Sequence, residues 1–159
     1  MKSTADRAKQ RVAIPGLLGA CRTEPLPPRN LVIFDGACGF CTWSVMVLDR
    51  PLGVRVASIP AQWLKDAELA GLGTTRAACA QAVVFVDATG VPSSGADAVN
   101  ALLRAHPLFS APVALALRVP ALLRLERAFY RWIARHRVAI SRLLGTRRYA
   151  LIGETDSAS

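Results

Sequence analysis

The chain has 159 residues, enough for one ordinary domain with its own core and too few for two. A hydrophobic fraction of 52% with only 19% charged residues excludes a disordered protein, and four unevenly spaced cysteines exclude the disulfide framework of a small secreted fold. The net charge of +9 comes almost entirely from arginine and concentrates from Arg104 onward, where Glu126 is the only acid before Glu154.

Residues 1–29 end in the Pro-rich stretch Pro25, Pro27, Pro28, a composition that suits an extended leader. Leu18-Gly19-Ala20-Cys21 looks like a lipoprotein cleavage box, but Pro15 and Gly16 interrupt the short apolar run before it, so a flexible leader is expected and cytoplasmic placement is the default. Leu31-Val32-Ile33-Phe34 is a short apolar run fit for a strand buried on both faces, ended by Asp35-Gly36. Cys41 to Leu48 then runs without a breaker until Pro51 and predicts a helix. Val54, Val56 and Ile59 mark a second strand ended by Pro60, and Ala61 to Ala70 predicts a helix closed by Gly71 and Gly73.

A Thr/Arg/Ala stretch carries no clear signal. Ala82 to Val86 is the strongest strand signal, with Asp87-Ala88-Thr89-Gly90 as a turn and Val91 to Ser93 as a return strand. From Gly95 a helix places Ala98, Ala101, Leu102 and Ala105 on one face before Pro107. Strand, helix, strand, helix, hairpin, helix is the order of an α/β domain with a mixed sheet of four strands, covered on both faces.

The apolar stretch Leu108 to Leu125 is broken by Pro112, Arg118, Pro120 and Arg124, so it is too interrupted to span a membrane. From about Pro120, Leu122, Leu125, Phe129, Trp132, Ile133 and Ile140 recur at helical spacing, while Arg124, Arg127, Arg131 and Arg135 recur on another face. The expectation is an amphipathic helix that packs its apolar side on the domain and turns arginines to water or to an anionic membrane surface. Positive charge without a recognisable motif points to no specific nucleic acid. The layout is therefore a leader over 1–29, an α/β domain over 30–106, a basic helical extension over 107–146 packed on it, and a tail over 147–159.

In Asp35-Gly36-Ala37-Cys38-Gly39-Phe40-Cys41 two cysteines sit between a buried strand and a helix. Free backbone N–H groups and the helix dipole at that N-terminus stabilise a thiolate at Cys38, and Cys41, one turn on, can reach back to resolve a mixed disulfide. The alternatives are a structural pair or half of a zinc site. Zinc needs four ligands, yet there is no second Cys-x-x-Cys, Cys21 and Cys79 lie far along the chain, and His106 and His136 are isolated, so neither metal nor cofactor is expected. Asp35 has two readings: a desolvated carboxylate that shuttles the proton of Cys41, or a turn former that caps the helix.

The spacing of Asp35, Cys38 and Cys41 resembles the DCC family of thiol–disulfide oxidoreductases, named for that aspartate and cysteine pair. Gly95-Ala96-Asp97-Ala98 and Tyr130-Arg131-Trp132-Ile133-Ala134-Arg135-His136-Arg137 look like the family's later landmarks, so the resemblance spans about residues 30 to 144. It implies a thioredoxin-like fold and a thiol- or disulfide-containing protein or small thiol as substrate, with Cys38, Cys41 and Asp35 at the site. Two departures stand out. Ala80-Gln81-Ala82 occupies the place where thioredoxin-like enzymes carry a cis-proline, and His136 stands where the closing motif usually has asparagine. The competing function is a membrane-surface or protein-binding module built on the arginine-rich helix, with non-catalytic cysteines.

Overall fold

The computed structural model describes residues 30–52, 56–105, 107–146 and 150–151. The leader, Cys21, Val54, His106 and most of the tail lie outside the described residues. Strand β1 (Leu31–Phe34) feeds helix α1 (Gly39–Leu52), and β2 (Ala57–Pro60) returns parallel to β1. A 3-10 turn (Ala61–Trp63), α2 (Asp66–Gly71) and α3 (Arg76–Gln81) lead to β3 (Val84–Val86). The hairpin strand β4 (Pro92–Ser94), α4 (Gly95–Arg104), α5 (Pro107–Ala116) and the long α6 (Pro120–Leu143) complete the order.

The sheet order is β2-β1-β3-β4, with β1 against β2 parallel and β1 against β3 and β3 against β4 antiparallel. This is the mixed four-stranded α/β sheet expected from the chain order, and it agrees with the thioredoxin-like fold that the resemblance implies. β1 is central and buried along its whole length, which explains why its four residues are all apolar and do not alternate. Its pleat divides the core in two. Val32 and Phe34 join Val45, Phe85, Ala98 and Leu102 on one face, while Leu31 and Ile33 join Ile59, Leu64, Leu69 and Val84 on the other.

The segment over 61–70 is not one helix. Pro60 opens the 3-10 turn, and Leu64 leaves helical geometry at φ −103° and ψ 144° to bury its side chain. A second helix then starts, with the Glu68 carboxylate accepting the Lys65 N–H at 2.8 Å. Arg76 makes the break tolerable, because its guanidinium donates to the carbonyls of Ala61 and Leu64 at 3.1 and 2.8 Å, which an unbroken helix would have satisfied from its own backbone. Arg76 belongs to α3, the helix hidden in the signal-poor Thr/Arg/Ala stretch. Thr75 caps it by accepting the Ala78 N–H. Helix α1 also runs past the expected stop and includes Pro51, with the helix ending one residue later.

Helix α6 lies across α1 and α4, and the expectation about its faces needs correction. Leu122, Leu125, Phe129 and Trp132 were expected to pack on the domain; they are exposed by 44, 67, 59 and 53%. The inward face carries Tyr130, Ala134, Arg137 and Ser141 instead, with Ile133 and Ile140 at its border. The reason is polar matching. Tyr130 Oη accepts the Val83 N–H at 3.1 Å, Glu126 accepts from the Asn100 side chain at 2.9 Å, and Arg127 pairs with Asp97 at 2.9 Å. Gly95, at φ +64°, lets the Tyr130 ring close in: a Cβ there would stand 3.3 Å from the ring. Periodicity finds the helix, but these three pairings choose its orientation.

Candidate active site

β1 delivers the chain to the rim of the sheet, where residues 35–38 turn into α1. Asp35 shapes that turn. Its Oδ1 accepts the Ala37 N–H at 3.0 Å, and its carbonyl accepts the Cys38 N–H at 3.2 Å. The Cys38 carbonyl then takes the Thr42 N–H at 3.0 Å, opening the helical ladder. Cys38 and Cys41 are joined as a disulfide, their Cα atoms 5.2 Å apart. The Cys41 N–H, one of the groups a helix start leaves free, points at Cys38 Sγ from 3.2 Å. Both cysteines are partly buried.

Asp35 is held from three sides. Besides its own turn, Gln62 of the 3-10 segment donates to Oδ1 at 2.8 Å, and the same side chain accepts the Gly36 N–H at 3.1 Å. Arg137 of α6 approaches Oδ2 at 3.7 Å, with the carboxylate 13% and the guanidinium 24% exposed. Arg137 also reaches Cys41 Sγ, with Nη1 at 3.9 Å. One guanidinium therefore spans the aspartate and the second cysteine. Of the two readings of Asp35, the turn former is directly visible.

Cys41, with Asp35 and Arg137, lines a largely apolar cavity of about 340 Å³ between the sheet and α6. Phe34, Val45, Phe85 and Leu102 line its floor, and Phe129 and Ile133 line its α6 side. Gln81 and Ala82, where a thioredoxin-like enzyme would carry cis-proline, border the same cavity, and the described residues contain no cis peptide bond. The backbone N–H of Val83, which follows them, is already taken by Tyr130. Burial pushes the Tyr130 phenol above its ordinary pKa, against the opposing pull of that hydrogen bond and of Arg137.

Cys79 is the one free cysteine among the described residues. It is buried on α3, its Sγ lies 3.6 Å from Thr74 Oγ1, and burial pushes its thiol above the usual range. Among the described residues no three His, Cys, Asp or Glu side chains cluster in a way that could hold a metal ion. His136 faces outward, packed on the Trp132 ring and hydrogen-bonded to the Trp132 carbonyl at 2.8 Å.

The structure thus places Asp35, Cys38 and Cys41 together at the start of α1, as the sequence implied. It adds Gln62, Tyr130 and Arg137. Nothing in the local sequence singles out Gln62, whereas Tyr130 and Arg137 open and close the 130–137 landmark and could have been found there. No curated protein and no solved structure matches the chain. A family model does, over residues 32–143, a span that starts in β1, takes in the cysteine pair and closes at the last residue of α6. By that match the chain belongs to the DCC1-like thiol–disulfide oxidoreductase family.

Proposed function

We propose that the protein exchanges disulfides with a protein or small-molecule thiol through Cys38 and Cys41. The observation that carries this reading is the arrangement of the pair: a disulfide at the N-terminus of α1, with Cys38 Sγ facing the Cys41 N–H. In the reduced protein that amide and the helix dipole favour a thiolate on Cys38. The Cys38 thiolate attacks one sulfur of a substrate disulfide, forming a mixed disulfide and releasing the other substrate sulfur as a thiolate. Cys41 gives up its proton and attacks Cys38 Sγ, closing the internal disulfide and releasing the second substrate thiolate. In the opposite direction the same steps oxidise a substrate dithiol.

Asp35 takes the proton from Cys41, and Arg137, which contacts both, holds the developing Cys41 thiolate by its charge. The apolar cavity beside Cys41 suits a substrate whose reacting sulfur is flanked by an apolar group. Trapping separates the two cysteine roles. Cys41→Ser should accumulate a mixed disulfide with a disulfide substrate through Cys38, and Cys38→Ser should accumulate none. Equal trapping by both variants, or by neither, rejects the assignment. Asp35→Asn should slow resolution most at low pH, where the Cys41 proton needs an acceptor; an unchanged pH profile removes Asp35 from that role.

A further inference from the structure

The arginine stripe and the exposed apolar residues of α6 form a surface that, apart from Phe129 at the border of the cavity beside Cys41, the dithiol chemistry does not use. At about 100° per residue, α6 divides into three sectors. Tyr130, Ala134, Arg137 and Ser141 face the domain. Leu122, Leu125, Phe129, Trp132 and Leu143 fall within roughly a quarter-turn of one another and are 44 to 86% exposed. Arg124, Arg127, Arg131, Arg135 and Arg142 occupy another quarter-turn. The apolar ridge runs roughly 30 Å along the helix. Phe129 and Trp132 stack on it at 6.3 Å with their planes 12° apart, giving it a rigid aromatic centre.

No acid on the outer face balances the arginines. Arg127 pairs with Asp97, but among the described residues Arg124, Arg131, Arg135 and Arg142 pair with no carboxylate, and Glu126, the one acid of α6, is turned inward to Asn100. Arg124, Arg131 and Arg135 also line an open groove between α6 and the β4–α4 junction, in which Asp97 is the one acid and is paired with Arg127. Val119, just before α6, and Leu115 of α5 are exposed as well, by 48 and 67%. Large apolar side chains exposed along one line of a helix mark an interaction surface.

We infer that α6 docks this face on an anionic lipid bilayer, with the Leu/Phe/Trp ridge inserted at the headgroup boundary and the arginines beside it paired with lipid phosphates. The chemistry favours a bilayer over a protein groove. A helix with Trp, Phe and Leu on one sector and arginine as the only charged residue on the next, where Val138 is also exposed, is matched by hydrocarbon beside uniform negative charge. Long arginine stems can lie along the apolar ridge while their guanidinium groups reach the phosphates. No described helix is long and apolar enough to cross a membrane, and the proposed contact is made by the outer face of α6. It stands on α6 alone and holds whether or not the cysteines cycle.

The test is co-sedimentation of the full chain with phosphatidylglycerol-containing vesicles against pure phosphatidylcholine vesicles, at low and high salt. Binding should require the anionic lipid and fall as salt rises. Arg124→Gln/Arg131→Gln/Arg135→Gln should weaken it by about 100-fold. Leu125→Gln/Trp132→Gln, both exposed and outside the active-site cavity, should weaken it by at least about 10-fold. Circular dichroism and formation of the Cys38–Cys41 disulfide report that each variant keeps its fold. Quenching of tryptophan by lipids brominated near the headgroup should vanish in Trp132→Gln although Trp43 and Trp63 remain. The inference is overturned if the chain binds neither vesicle or both alike, or if the ridge variants bind as well as the parent. Ridge-dependent self-association without vesicle binding overturns it in favour of a second copy of the chain.

Discussion

The β1–α1 turn and helix α6 meet at Arg137, and they are built in opposite ways. The turn is built mainly from its own residues, Asp35 bonding to Ala37 and Cys38 and Cys38 to Cys41 and Thr42, with Gln62 and Arg137 bracing it from outside. Helix α6 is self-sufficient only as a helix. Its orientation rests on partners 26 to 47 residues away, Val83, Asp97 and Asn100. Chemistry written into a short motif needs its surroundings only as a brace, whereas a face chosen by distant partners depends on each of them.

The largest expected effect lies in the turn. Cys38→Ser should abolish disulfide exchange outright, while Cys41→Ser should retain a single attack; both follow from single-turnover assays with a disulfide substrate. Next come the residues that orient α6. Tyr130→Phe strands the part-buried Val83 N–H and should cost about 1–3 kcal/mol in urea unfolding, and Trp132→Gln on the outer face should stay within about 0.5 kcal/mol. Equal costs for the two would contradict the assignment of inner and outer faces.

Gln62→Ala removes the clamp on Asp35 and Gly36 and should cost about 1–2 kcal/mol, with a slower exchange rate because the turn loosens. The smallest effect is a pH dependence. Burial raises the pKa of both Cys79 and Tyr130, so the folded chain holds those protons more tightly than the unfolded one. The stability they contribute is complete below the unfolded values and is lost as pH rises above about 9. Unfolding midpoints should fall across that range in the parent, and less steeply in Cys79→Ala.

What the sequence disclosed follows the same division. β1, the cysteine turn, the hairpin and α4 are legible because each depends on a local signal: an apolar run, a Gly-bearing turn, a helical period. Helix α3 was hidden because its residues have no apolar stripe, and only its capping Thr75 marks it. The broken helix after Pro60 depends on Arg76 supplying bonds from 12 and 15 residues away, which no local pattern records. Gln62 at the site is unreadable for the same reason, since tertiary contact alone places it, whereas Arg137 stands in the 130–137 landmark and only its reach to Asp35 and Cys41 is hidden. The exposed ridge of α6 reversed expectation because an apolar stripe was equated with a buried one, when Tyr130, Glu126 and Arg127 had the better-matched partners.

The most direct test of the central claim, that Cys38 and Cys41 form a working redox pair, is equilibration of the purified chain in glutathione buffers of graded potential, with mass spectrometry of the Cys38–Cys41 peptide. A single reversible two-electron transition, absent in Cys38→Ser, is the predicted result, and its midpoint tells whether the pair tends to reduce or oxidise its substrates. A pair that stays reduced throughout, or a disulfide that no buffer in the series can open, would contradict the account.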